Sequence, residues 1–338
     1  MKQYIIVSLI AIWVFSACSE EDDAVFTPPD KQCNSTLYAS LLPADTCLDF
    51  PDLWGTTYFY YRVGPGYALI GKTPNNPDEW IYLINREEVP TSNEGSEIWK
   101  VDTCSGRKQF ILDKVKSQPK VSKQGWMIFR RTYDGLMYRA NLQGDSLKAV
   151  SNLVAHDLFD WCLDGEAFFY RARFKDVAYL VDINGNVLDS FALDCHAIAG
   201  RGNRIALSLD SEVSVNHSRI AVLNLFTGSL TEVTETGGMG IGGPLALAWE
   251  SDDTLIGAFG RAGLFRIHIS TGEVEPIKET CENVFYYYPV VDLDNPSWLI
   301  LGKRDYYWPD SLSRVYFTAD MVLYNTETGE EWKLDLDQ

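Results

Sequence analysis

The sequence predicts an all-β protein, a six-bladed β-propeller of four-stranded antiparallel blades. Three observations carry that expectation. One hairpin unit recurs six times along the 338 residues, at a spacing of about 38 to 44 residues that lengthens only in the last step, a period of propeller blades and not of helical solenoids. Each copy turns on a short Gly-containing segment between apolar-rich runs, as a hairpin of buried strands requires. The aromatic content is 13 %, with 10 Trp and 18 Tyr, which suits sheets whose faces stack on one another.

The unit is clearest from Arg219 to Val233. Ile220, Val222 and the residues after them read as a buried strand, Thr227-Gly228 as the turn, and Leu230 to Val233 as a returning strand that alternates apolar and polar. The same hairpin recurs at Ile98–Asp102 with Ser105-Gly106, at Leu136–Asn141 with Gln143-Gly144, and at Ala178–Asp182 with Asn184-Gly185. Leu264–Ile267 with Thr271-Gly272 and Met321–Asn325 with Thr328-Gly329 complete the set. The segment before each hairpin supplies two inner strands. The blades then fall near 56–113, 117–151, 154–193, 195–236, 243–280 and 285–336. Blade one has competing strands at Tyr58–Val63, Tyr67–Lys72, Trp80–Asn85 and Ile98–Val101, and a spare one there would close the ring against the last blade.

A chain of this length buries about three quarters of its unfolded surface, so its core needs no metal or staple. The formal charge of −18 excludes a nucleic-acid binder, because nothing forms the basic stripe that phosphates require. Neutral or cationic partners fit better.

At the N-terminus, Lys2 precedes the apolar run Tyr4 to Phe15, broken only by Ser8. The run is too short to span a bilayer and reads as the h-region of a secretory signal, against the competing reading of a membrane anchor. Phe15-Ser16-Ala17-Cys18 resembles the lipobox of bacterial lipoproteins, with Phe15 where that family usually has Leu. The resemblance implies a signal peptide over 1–17 and lipid on Cys18. Ser19-Glu20-Glu21-Asp22-Asp23 is similar to the acidic export tag of Bacteroidetes surface lipoproteins, or is a solvated tether. These features place the protein at the outer membrane, anchored through its lipid in the periplasmic or cell-surface leaflet. Residues 18–55 form the tether and N-terminal segment, with Pro28-Pro29 in a polar linker, and 56–338 the propeller.

With Cys18 assigned to lipid, Cys33, Cys47, Cys104, Cys162, Cys195 and Cys281 remain. An even number in an oxidising compartment permits disulfides, and Cys33 with Cys47 is the expected pair, a clasp on the segment leading into the body.

In blade three, Trp161, Asp164-Gly165, a strand from Ala167 to Arg171, Asp182 and Gly185 follow one another; Trp249, Asp252-Asp253 and Thr271-Gly272 do so in blade five. This order resembles the repeats of TolB-type propellers, from about residue 56 to the end. The resemblance implies the architecture and a scaffold role in the envelope, at the level of fold alone.

In a four-stranded blade, the loop between the second and third strands and the connection to the next blade emerge on one face of the disc; the two tight turns emerge on the other. The first face carries the long loops Glu87–Glu97, Asp210–Ser218, Thr236–Gly243, Thr280–Pro289 and Lys303–Thr318, and long loops are where binding concentrates. Tyr286, Tyr287 and Tyr288 after Phe285, and Tyr306, Tyr307 and Trp308 with Tyr316 and Phe317 behind, offer flat rings with polar tips for sugars or peptide side chains. They are the candidate ligand-binding residues, though such rings also serve as core.

Signatures of catalysis are scarce. No GxSxG, HExxH or CxxC is present, so common hydrolase, zinc and redox sites are not indicated. His196, with Asp157, Asp160 and Asp292, and also His156 and Asp294, lies on or near predicted inner strands; oxygen ligands from several blades would suit calcium or magnesium, whereas turn-capping is the commoner use of such acids. Gly237–Gly243 lacks the Lys-Ser/Thr of a phosphate cradle. The expectation is an envelope lipoprotein that binds an envelope protein, peptide or glycan without catalysis and without a resident cofactor. The rival is a metal-assisted hydrolase or lyase on a carbohydrate or lactone working in the central channel; a third reading is a structural subunit of an outer-membrane complex.

Overall fold

The computed structural model of the protein describes residues 38–45, 47, 59–62, 65–85, 95–210, 218–236, 246–259, 262–281, 283–292, 297–307 and 314–336. The signal peptide, Cys18, Cys33, His217, Asp294, Trp308 and the Gly237–Gly243 run lie outside these residues. Six antiparallel sheets follow one another along the chain as six blades, each running from an innermost to an outer strand in sequence order. Blade one spans 66–115, blade two 120–149, blade three 155–191, blade four 195–236, blade five 246–278 and blade six 284–335. Among the described residues the one helical piece is a single 3-10 turn, Leu163–Gly165, at the position where Asp164-Gly165 predicts a turn. No helix among them is long and apolar enough to cross a membrane.

The apolar runs are continuous where both faces of a sheet are covered. In the second strand of blade three, Ala167–Ala172, Phe168 and Tyr170 pack towards blade two while Phe169 packs towards blade four. Each of the six core clusters joins two adjacent blades, the last joining blade six to blade one. Burial of each such ring contributes about 1.5–3 kcal/mol, so the ring of blades is held mainly by its interfaces.

Innermost strands are also stitched across blades. Gln118 Nε2 donates to Leu69 O at 2.7 Å, Trp161 Nε1 to Lys120 O at 2.9 Å and Trp249 Nε1 to Ala199 O at 3.0 Å. The two Trp that carry the repeat resemblance therefore act as inter-blade staples. Asp160 belongs to the same set, with Oδ2 accepting the Gly200 N–H at 3.0 Å. A Cβ on Gly200 would stand 1.8 Å from Trp161 O. Gly200→Ala is expected to cost about 3 kcal/mol by forcing blades three and four apart; a denaturant midpoint unchanged from wild type would show that the approach is not required.

Blade one begins later than its predicted boundary at residue 56. Phe59–Arg62, part of the spare strand, pairs in parallel with Arg314–Phe317 of blade six. Tyr38–Leu41 pairs antiparallel with Trp332–Asp335 and so becomes a fifth, outermost strand of blade six. The N-terminal segment thus clasps the last blade from outside. Asp45 forms ion pairs with Lys303 and with Lys278, the latter at 3.5 Å, and Cys47 is bonded to Cys281. The expected Cys33–Cys47 pair is therefore corrected: Asp45 and its partners bring Cys47 against the connection between blades five and six. Cys104 is also in a disulfide. Cys162 and Cys195 are free, and burial pushes both thiols up, Cys195 to about 12; they are inert packing groups.

Candidate functional site

The aromatics expected in blade-six loops stand largely on strands. Phe285 to Tyr288 belong to the innermost strand, Val284–Val291. Lys303 to Tyr307 and Arg314 to Thr318 extend the second and third strands, Trp298–Tyr307 and Arg314–Asn325, into a hairpin beyond the blade. Alternation along the innermost strand separates the neighbouring tyrosines. Tyr286 is fully buried and its hydroxyl donates to Glu331. Burial first, then Glu331 and Asp45, raises its pKa and keeps it neutral. Tyr286 is thus a core residue, a correction to its expected place on the binding surface.

Tyr287 and Tyr288 turn the other way. A register shift lies between Tyr287 and Val290, and Tyr288 takes a positive φ of 51°, a conformation that costs a non-Gly residue about 1–3 kcal/mol. This bulge directs Tyr288, 37 % exposed, into the central channel beside Asp157, Phe159 and Pro289, where the free space is only about 40 Å³. Its ring meets Tyr287 edge to face at 5.0 Å. Arg304 then lies 4.7 Å from the Tyr287 centroid and 5.4 Å from that of Phe317. Tyr306 stacks on Phe317 at 5.2 Å and Tyr307 on Tyr316 at 5.7 Å. A ladder of rings and one guanidinium therefore runs from Tyr288 in the channel to Phe317 and Tyr306, while Tyr307, 39 % exposed, and Tyr316 pair on the opposite face of the same hairpin. Burial, the largest influence, raises the Tyr287 phenol to about 12 and also raises Tyr288, so both are neutral donors at physiological pH.

Two rings on this face were not singled out from the sequence. Tyr133 and Phe174 occupy the second-to-third-strand loops of blades two and three and are 61 % and 85 % exposed. Arg131 lies 5.1 Å from the Tyr133 centroid and Arg173 4.9 Å from that of Phe174. The Tyr133 hydroxyl also meets that of Tyr138, which donates to Asp134 at 2.7 Å. Phe174 has φ 63°, so the chain holds an apolar ring in water at a backbone cost. The legible signal was an aromatic inside a short polar turn, Thr132-Tyr133-Asp134-Gly135 or Arg173-Phe174-Lys175-Asp176, where no sheet face can receive it.

The channel candidates do not converge. Asp157 is bridged to Arg130 at 3.1 Å. His196 Nε2 lies 2.7 Å from Asp210 Oδ1 on the adjacent strand, both groups well exposed. Among the described residues Asp160 accepts only from backbone N–H groups, those of Trp161 and Gly200. Asp292 is held by Lys72 through both oxygens at 2.8 Å near the opposite end of the channel. Among the described residues no three His, Cys, Asp or Glu side chains are placed to share an ion. His156 is partly buried beside Arg171 and Asp157, and burial, then Arg171, lowers its pKa.

No protein-family model matches this chain, and no curated protein matches it. Among solved structures it is similar to one from the crystal structure of a nidogen/laminin complex, with 10 % identity, TM-score 0.42, and coverage of 63 % of this chain and 92 % of that one. The tricorn protease shows 11 % identity and TM-score 0.38 over 79 % of this chain and 25 % of its own. The acylaminoacyl peptidase of Pyrococcus horikoshii shows 13 % identity and TM-score 0.47 over 83 % and 52 %. The chain thus spans about a quarter and about half of the two enzymes' chains.

Proposed function

We propose that this protein is an envelope lipoprotein whose propeller binds a protein or peptide on the long-loop face without catalysis. The carrying observation is Phe174, 85 % exposed in a left-handed backbone conformation with Arg173 against its ring. Tyr133 with Arg131 repeats the arrangement one blade away, and blade six adds Tyr288 and the partly exposed Tyr307 of its extended hairpin. Aromatic and Arg side chains dominate the energy of protein interfaces. Guanidinium groups already cover one face of several rings, which suits planar or acidic protein groups better than a sugar that needs the open ring.

The envelope location rests on the lipobox-like Cys18 and is supported by the disulfides at Cys47–Cys281 and Cys104, since such bonds persist in oxidising compartments. Lipid on Cys18 would tether the clasped N-terminal segment to the membrane. Cys18→Ser is expected to release the protein into the soluble fraction; a membrane-bound variant would refute the anchor.

The binding reading is tested with a soluble form starting at Ser19, immobilised and exposed to solubilised envelope proteins. Tyr133→Ala, Phe174→Ala and Tyr307→Ala are each expected to weaken the captured partner at least about tenfold, with the melting temperature nearly unchanged for the exposed Tyr133 and Phe174 and slightly lowered for Tyr307, which loses its stack on Tyr316. Equal retention by all three variants would refute this face.

A further inference from the structure

The opposite end of the channel is wider. Where the first-to-second-strand turns meet the axis, a cavity of about 660 Å³ opens, and the innermost strands of all six blades contribute to its wall, with Ile70, Lys120, Asp160, Gly200, Leu247 and Val290 among the lining residues. That volume lies in the range of small-molecule sites. It meets the narrow part of the channel at Lys120, Leu247 and Pro289, which line both.

The charges there are of two kinds. At the rim, Arg201 Nε and Arg204 Nη2 converge on one oxygen of Asp252 at 2.7 and 3.4 Å, and Lys123 meets Asp164 at 3.1 Å. Asp252 and Asp164 are largely exposed, and such pairs exchange readily with water or another anion. Deeper in, Asp160 is engaged with backbone N–H groups. The Lys120 ammonium has no hydrogen-bond or ion-pair partner among the described residues; its backbone pairs with Ile128 and its carbonyl also accepts from Trp161 Nε1. The cavity therefore holds four cations and three acids, and one unpaired positive charge at its waist, in a chain of net charge −18. Trp161 and Trp249 form part of the wall, and Arg204 lies 4.7 Å from the Trp249 centroid.

We infer that this mouth is a second binding site, for a small organic anion bearing at least two carboxylates. One carboxylate meets Lys120 at the waist. Another takes the place of Asp252 on Arg201 and Arg204, a guanidinium pair already arranged around a carboxylate. The carbon skeleton lies along the indole walls. The site stands apart from the long-loop face and does not depend on a partner bound there.

The test is calorimetric titration of the Ser19 form with citrate and, separately, with inorganic phosphate at matched ionic strength. Citrate is expected to bind with one-to-one stoichiometry and phosphate weakly or not at all. Lys120→Met is expected to weaken citrate at least about tenfold, the effect of losing one charge-assisted hydrogen bond, with no fall in melting temperature because that ammonium has no partner to lose. Asp252→Ser removes the competing carboxylate and is expected to tighten citrate. The inference is overturned by the absence of saturable heat with citrate in the millimolar range, by equal affinity in Lys120→Met, or by phosphate binding as tightly as citrate.

Discussion

Glu331→Ala is expected to destabilise the protein by about 3–5 kcal/mol, the cost of leaving buried charge without its partner. Glu331 and Lys303 side chains are 5 % and 4 % exposed and meet at 2.9 Å. The second Glu331 oxygen is engaged by Lys278 and by the Tyr286 hydroxyl, and Asp45 reaches both lysines from the N-terminal segment. Two ammonium groups, Lys278 of blade five and Lys303 of blade six, thus face the Glu331 and Asp45 carboxylates where the two blades meet, with the clasp supplying Asp45. Removing Glu331 leaves Asp45 to balance both, helped only by Asp305 at 3.9 Å from Lys303.

Glu331→Gln separates charge from volume: it keeps the packing and is expected to lose a similar amount. The alkaline limb provides an independent check. Burial opposes the Lys303 charge, but Glu331 and Asp45 more than restore it, so its pKa stands above the ordinary 10.5. Its contribution is complete below that ordinary value and is lost as pH rises through the higher, folded one. Denaturant midpoints measured from neutral to strongly alkaline pH should therefore hold in the wild type until that region and fall earlier in Glu331→Gln. Superimposable curves would contradict this account of the clasp.

The second large effect is expected for Cys47→Ser combined with Cys281→Ser. The bond closes a span of 234 residues, and the chain-entropy model gives about 5 kcal/mol for a loop of that size. Total stabilities of domains are about 5–15 kcal/mol, so the double variant should unfold at a much lower denaturant concentration. Near-wild-type unfolding would mean that strand pairing at Tyr38–Leu41 and the Asp45 ion pairs hold the clasp by themselves. Because Asp45 and Cys47 belong to one short segment, the serine pair and Glu331→Ala should not add.

What was legible in the sequence is what is local. A hairpin is set by its turn and by the runs beside it, so blades two to five fall within a few residues of their predicted limits. Closure depends on partners far apart in the chain. Tyr38 meets Asp335 and Cys47 meets Cys281, and no local pattern at either end announces the other. The site divides along the same line. The sequence marked Tyr287, Tyr288 and Tyr306 as aromatic company, and Arg304 and Phe317 do assemble with them. It could not separate Tyr286 from its neighbours, because period-2 alternation says which residues share a face and not which face a neighbouring blade covers. Nor did it locate the bulge that turns Tyr288 into the channel. Phe174 and Tyr133 sit in short turns, where loop length carries no signal and only a ring set among polar residues marks the position.

The central claim is that the long-loop face is where this propeller meets its partner. The most direct measurement places a photo-crosslinking benzoylphenylalanine at Phe174 and, in a second protein, at Phe226, which is equally free in a tight turn of blade four on the other face. Irradiation in the intact envelope should give a discrete protein adduct from position 174 and none from position 226. An adduct at 226 alone, or none at either, would contradict the account.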